Sequence, residues 1–152
     1  MDDRPPIRHI LIPHDFSETA ERAFAFGLDL AEKLGARVTV AHAYELPTYG
    51  FPDGPAMTAQ MAGQIERAAQ TALEAAASRA RKPGRDVSVV LRQGTAWSEI
   101  VAVAKDTKTD LVVMGTHGRR GFARMLLGSV AEKVVRTAPC PVLTVHGPAR
   151  EE

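Results

Sequence analysis

Two short stretches of this 152-residue chain combine residue types that could do chemistry. The first reads Pro13-His14-Asp15-Phe16-Ser17. The second runs Gly115-Thr116-His117-Gly118, passes over nine residues, and reaches Gly128-Ser129. Glycine lets the backbone turn sharply and lets a ligand come close to it, so Gly115 and Gly118 suit a loop wrapped on a ligand. Arg119, Arg120 and Arg124 lie in the connection, with no acidic residue among them. A helix opening at Gly128-Ser129 would offer unpaired N–H groups and the positive end of its dipole. Together these parts fit a small anion such as a phosphate. Each also has a plainer explanation. Ser129-Val130-Ala131-Glu132 matches a helix capping box. Gly115 can be a strand-end turn, the arginines can be a solvated face, and Asp15-Phe16-Ser17-Glu18 can cap a helix. Neither GxxxxGK(S/T) nor GxGxxG is present.

Other chemistries fit less well. None of the five histidines sits in an HExxH or CxxC context, so no protein-held metal is expected. Ser17, Ser129, His14, His117 and Asp15 could gather at one sheet edge, but the G-x-S-x-G elbow of a serine hydrolase is missing. Cys140 is the single cysteine, which rules out an intrachain disulfide and fits a reducing compartment. It lies between Pro139 and Pro141 and reads as a packing residue.

The elements that must position these residues follow from periodicity. HILIP at His9–Pro13 is too short for a helix and predicts a buried strand. Residues 20–34 repeat apolar side chains at the helical period and stop at Gly35. Residues 37–43 predict a second strand, with His42 packed on it. Residues 45–55 form a Pro/Gly-rich loop bearing Tyr49 and Phe51, a candidate contact surface. Residues 58–81 predict the longest helix, ended by Pro83-Gly84. Residues 86–92 predict a strand, 97–104 a helix and 111–114 a strand. Ser129–Thr137 then predicts a short helix and Val142–Val145 a fifth strand. Strict alternation of apolar strands with helices means a parallel sheet covered on both faces. Ligands in such sheets sit outside the carboxyl ends of the strands, where strand order reverses. Both chemistry-bearing stretches follow strand ends.

Composition sets outer bounds. The length suits one domain, 1–152, with its core at about 7–146. At 45% hydrophobic and 24% charged residues, usage is that of an ordinary globular chain, which excludes disorder and collagen. A formal net charge of +1 gives no global field for a polyanion, so nucleic acid is not expected as a partner. No apolar run reaches membrane-spanning length, and the acidic first residues, which lack an apolar stretch, are not expected to act as a signal peptide. A cytoplasmic location is the expectation.

From HILIPHDFSETA to PCPVLTV the chain resembles the universal stress proteins over nearly its whole length. The most specific stretch is GTHGRRGFARMLLGSVAEKVVRTAPCPVLTV. It fits that family's G-x2-G-x9-G-(S/T) signature as Gly115, Gly118, Gly128 and Ser129. The resemblance implies a doubly wound three-layer fold with a five-stranded parallel sheet of order 3-2-1-4-5. It also implies ATP binding and a homodimer built on the fifth strand, Val142–Val145. Carried over by position, Pro13 and Asp15 stand near the adenosine, and Ala43, Met114 and Gly115 enclose the adenine. Gly118, Gly128, Ser129 and Val130 meet the phosphates, mostly through N–H groups. His117 and Arg119 lie in the phosphate loop, and Mg2+ or Mn2+ comes with the phosphates. The expected role is a nucleotide-dependent stress-response regulator or sensor. One alternative is a weak ATPase, for which Asp15 is the only acid placed near the pocket and His117 the only histidine in the phosphate loop. The other is a dimeric interaction or chaperone-like module with structural nucleotide.

Overall fold

Five consecutive apolar or weakly polar residues, His9–Pro13, form β1, and all five are buried. The computed structural model describes residues 3, 5–47, 58–117 and 127–147. After β1 come α1 (Glu18–Leu34), β2 (Arg37–Tyr44), α2 (Ala59–Ala80), β3 (Val87–Gln93) and α3 (Ala96–Asp106). The chain ends with β4 (Leu111–Gly115), α4 (Ser129–Thr137) and β5 (Val142–Val145). Gly118, Arg119, Arg120, Arg124 and the loop bearing Tyr49 and Phe51 lie outside the described residues.

Local chemistry sets the helix ends. Ser17 caps α1, its hydroxyl accepting from the Ala20 N–H at 3.2 Å, so the helix starts two residues before the apolar repeat does. Gly35 ends it in the left-handed region at φ 65°. The buried stripe of α1 is Ala20, Ala23, Phe24, Gly27 and Ala31, the spacing of one helical face. In α2 the expected first and last residues are the caps, Thr58 and Arg81.

The strands form one parallel sheet in the order β3-β2-β1-β4-β5, as the resemblance implied. Alternation along each strand feeds two cores. Ile10, Ile12, Val38, Val40, Leu111 and Val113 pack on one side with α1 and α2. Leu11, Val112 and Met114 pack on the other with α3 and α4. Ile10, Leu11 and Ile12 are completely buried, and each contributes roughly 1.5–3 kcal/mol by leaving water. The chain winds outward through β2 and β3, then returns past β1 to add β4 and β5. Strand order therefore reverses between β1 and β4, and the crevice for a ligand opens at their carboxyl ends.

Candidate functional site

The carboxyl end of β1 leads into a tight turn. Phe16 adopts φ 67°, in the left-handed region, which costs a residue with a Cβ roughly 1–2 kcal/mol. Three contacts hold it there. Its N–H donates to His14 Nδ1 at 2.9 Å. Its ring lies 4.6 Å from that of His42 and 5.2 Å from that of His14, centroid to centroid. The next N–H, of Ser17, donates to Asp15 Oδ1 at 3.0 Å. Asp15 is thus fixed by its own turn just ahead of the α1 cap, and the cap itself is Ser17. His14 is buried, and its N–H continues the sheet by donating to the Ala41 carbonyl at 2.7 Å. His42, expected simply as a packed histidine, has a specific partner: its Nδ1 donates to the His14 carbonyl at 2.8 Å. Ala43 follows it, near the end of β2 and half-buried.

The carboxyl end of β4 lies alongside. Met114 is buried, and Thr116 is fully buried with its N–H donating to the Val145 carbonyl. Thr116 Oγ1 lies 3.0 Å from His117 Nδ1. A Cβ on Gly115 would stand 2.7 Å from Thr19 Cγ2 and 3.1 Å from the Thr19 carbonyl oxygen. A side chain at this position is therefore excluded by the first turn of α1, and what Gly115 could offer a ligand is its backbone. Sequence gave no sign of this, because Thr19 and Gly115 meet only after β1 and β4 pair.

The start of α4 corrects a second expectation. Gly128, not Ser129, is the N-cap, and no side chain caps this helix. The Gly128 N–H donates to the Thr116 carbonyl, which holds Gly128 extended and makes Ser129 the first helical residue. A hydroxyl at that position cannot do the work of an N-cap side chain, so the S-x-x-E capping box does not form. Glu132 pairs instead with Arg136 at 2.7 Å. The first intrahelical bond runs from the Glu132 N–H to the Gly128 carbonyl. The N–H groups of Ser129, Val130 and Ala131 precede it and have no partner within the helix. The Val130 side chain packs against the second core, so what this residue could offer a ligand is its backbone. Of the expected site residues, the structure thus gathers Pro13, Asp15, Met114, Gly115, His117, Gly128, Ser129 and Val130 at the carboxyl ends of β1 and β4. Ala43 joins them from β2.

The opposite edge of the sheet carries a cleft of about 590 Å³ lined by Arg8, Arg37, Arg85 and Lys108 among others. The ends of α1 and α2 and the residue after α3's cap converge there. Cations beside helix carboxyl termini are stabilising. Arg85 does this directly, donating to the Ala80 carbonyl at 2.9 Å. On the same edge His9 is buried and doubly bonded, to the Thr107 carbonyl through Nδ1 and to the Thr39 hydroxyl through Nε2. Burial, then the neighbouring Arg37, keeps its ring below the usual histidine range. Burial also pushes the Cys140 thiol up, away from thiolate chemistry.

The family model described as the universal stress protein family matches residues 6–146. A universal stress protein of Methanocaldococcus jannaschii is 33% identical over 145 residues, spanning 95% of this chain and 85% of the relative. One from Thermus aquaticus is 39% identical over 137 residues, spanning 90% of this chain and 97% of the relative. Among solved structures, a hypothetical protein whose biochemical function was assigned from its structure matches with TM-score 0.80 and 27% identity, over 95% of this chain and 99% of its own. A universal stress protein in complex with cAMP matches with TM-score 0.71 and 24% identity, over 95% and 100%. One from Archaeoglobus fulgidus in complex with dAMP matches with TM-score 0.63 and 24% identity, over 93% and 99%. At those two identities the likeness is one of fold.

Proposed function

This chain belongs to the universal stress protein family, and from that premise we propose that it binds ATP at the carboxyl edge of its sheet and acts as a nucleotide-dependent stress-response regulator in the cytoplasm. The observation that carries this reading is the start of α4. A glycine N-cap, a serine hydroxyl not used for capping and three N–H groups without helical partners stand beside the end of β4. They lie at the point where strand order reverses, which is where doubly wound folds take their ligands. An anion there gains charge-assisted bonds from groups that have no partner within the helix.

In this reading Gly128, Ser129 and Val130 meet the phosphates through their N–H groups, as does Gly118, and His117 and Arg119 belong to the same phosphate-binding stretch. Asp15, Pro13, Ala43, Met114 and Gly115 surround the adenosine. Proteins of the same fold in complex with cAMP and with dAMP support an adenine nucleotide as the ligand class. Among the described residues no three His, Cys, Asp or Glu side chains come together to hold a metal. In this reading Mg2+ or Mn2+ arrives on the phosphates, neutralising charge there. Among the described residues β5 is an edge strand, and that edge is the proposed dimer contact, since an edge strand is a template for a second strand.

Calorimetry with ATP and Mg2+ or Mn2+ tests this. Saturable binding that weakens in Gly118→Val is the expected outcome, and no heat of binding at millimolar nucleotide would refute it. Native mass spectrometry of freshly purified protein reads the subunit count and any co-purified nucleotide together.

A further inference from the structure

We propose that His14 is a proton-sensitive latch on the turn that carries Asp15: the neutral ring holds the turn closed, and a proton on Nδ1 opens it. Its consequence for ligand binding rests on the nucleotide reading above, whereas the latch itself belongs to the free protein.

The hydrogen bonds fix the state of the ring. The Phe16 backbone N–H donates to His14 Nδ1 at 2.9 Å. A backbone N–H can only donate, so Nδ1 carries no proton and the neutral ring carries its proton on Nε2. Nε2 lies 3.1 Å from Glu21 Oε1 in α1, but off the hydrogen-bond direction, and the ring itself has no exposed surface. A second proton on this ring has one place to go. On Nδ1 it would face the Phe16 N–H head on, replacing a bond by two opposed donors. Phe16 already sits in a left-handed conformation that the rest of the turn must enforce. Losing that bond releases the residue next to Asp15.

Groups from every neighbouring element bear on the ring. Glu21 of α1 and Asp15 of the turn favour the charged form. Arg79 of α2 opposes it, and also draws Glu21 toward itself with a 2.6 Å ion pair. His42 of β2 donates to the His14 carbonyl, and the rings of Phe16 and Phe24 stand 5.2 Å and 5.4 Å away as an apolar wall. Burial outweighs the two carboxylates, so the ring stays below the usual histidine range. Glu21 is 39% exposed and Arg79 57%, so water screens both, which is why neither decides the balance.

The test begins with nucleotide-free protein. Nitrogen NMR of the imidazoles from about pH 8 to about pH 5 should show His14 with a bare Nδ1 at the alkaline end. As His14 titrates, the Phe16 amide should shift and exchange faster. In His14→Asn, Oδ1 takes the place of Nδ1 as acceptor but does not titrate, so the Phe16 amide should hold constant. An Nδ1-protonated tautomer at the alkaline end overturns the latch, and so does a Phe16 amide that follows the same pH curve in His14→Asn. Should His14→Asn not fold, Glu21→Gln gives an independent check. Removing the carboxylate charge should move the wild-type transition to lower pH, and a transition that stays or rises overturns the proposal. With MgATP added, wild-type affinity should fall by up to about tenfold per pH unit below the transition, the limit for one linked proton. His14→Asn should lose only what protonation of the nucleotide takes away. Equal pH dependence in the two proteins overturns the coupling to the site. If no nucleotide binds at any pH, the ATP proposal fails while the amide data still decide the latch.

Discussion

Replacing Gly128 by alanine tests how the candidate phosphate site is built. The backbone there, φ −68° and ψ 164°, suits any residue, so no cost comes from dihedral strain. The cost is steric. A Cβ would stand 2.7 Å from the Thr116 carbonyl oxygen and 3.4 Å from His117 Cα. Both neighbours are main chain, and the same carbonyl accepts the Gly128 N–H. Relief therefore requires α4 to move away from the end of β4, and overpacking of this kind costs about 1–3 kcal/mol. Alanine is also a poorer N-cap than glycine by something on the order of 1 kcal/mol. The sum is about 2–4 kcal/mol, a large share of the 5–15 kcal/mol or so typical of a whole domain. With a urea slope near 2 kcal/mol per molar, the midpoint should fall by about 1–2 M. Urea unfolding at one fixed protein concentration reads this, so that self-association cannot enter the difference. Ser129→Ala belongs in the same experiment. Because Ser129 makes no cap bond, its loss should change stability by less than about 0.5 kcal/mol. A Ser129→Ala cost above about 1 kcal/mol, or a Gly128→Ala cost below about 0.5 kcal/mol, would refute this account of the helix start.

Two further outcomes follow from buried and strained residues. His9 and His14 are both held below the usual histidine range by burial. Between the native values and about pH 6.5 the unfolded chain binds protons that the native chain does not, so stability is full above that window and falls as pH drops through it. Urea midpoints measured on either side of pH 6.5 should therefore decrease toward acid, and an increase would contradict the assignment. Lys108 lies in the left-handed region at φ 51° on an exposed turn. Lys108→Gly should raise stability by about 0.5–1 kcal/mol in thermal or urea unfolding, with relief of strain exceeding the entropy that glycine adds to the unfolded chain.

Most of the architecture is legible in the sequence. Periodicity predicts every strand and helix in its place, and the predicted Ser129–Thr137 and Val142–Val145 match residue for residue. The differences lie at the ends. The apolar repeat of α1 begins at Ala20, but Ser17 starts the helix at Glu18, because capping is set by hydrogen bonds and not by apolar period. The family resemblance supplied the strand order. Alternation alone says that the sheet is parallel but not which strands are neighbours.

The sequence by itself determined the layered class, the two strand-end stretches and the glycine spacing, since periodicity, turn chemistry and motif spacing act over a few residues. Only the tertiary structure decided what those residues do. At Gly115 the residue that a Cβ would meet is Thr19 of α1, nearly a hundred positions away in sequence. Ser129 looked like a cap, yet the Thr116 carbonyl takes the Gly128 N–H and shifts the cap by one residue. His14 had no role assigned by any motif, yet the turn at Phe16 aims an N–H at its ring, and Glu21 faces the other nitrogen one turn into α1. Each of these outcomes depends on backbone geometry, or on segments distant in sequence that approach within about 3 Å. No local pattern encodes such an approach, because it is fixed by how the whole sheet and its helices pack.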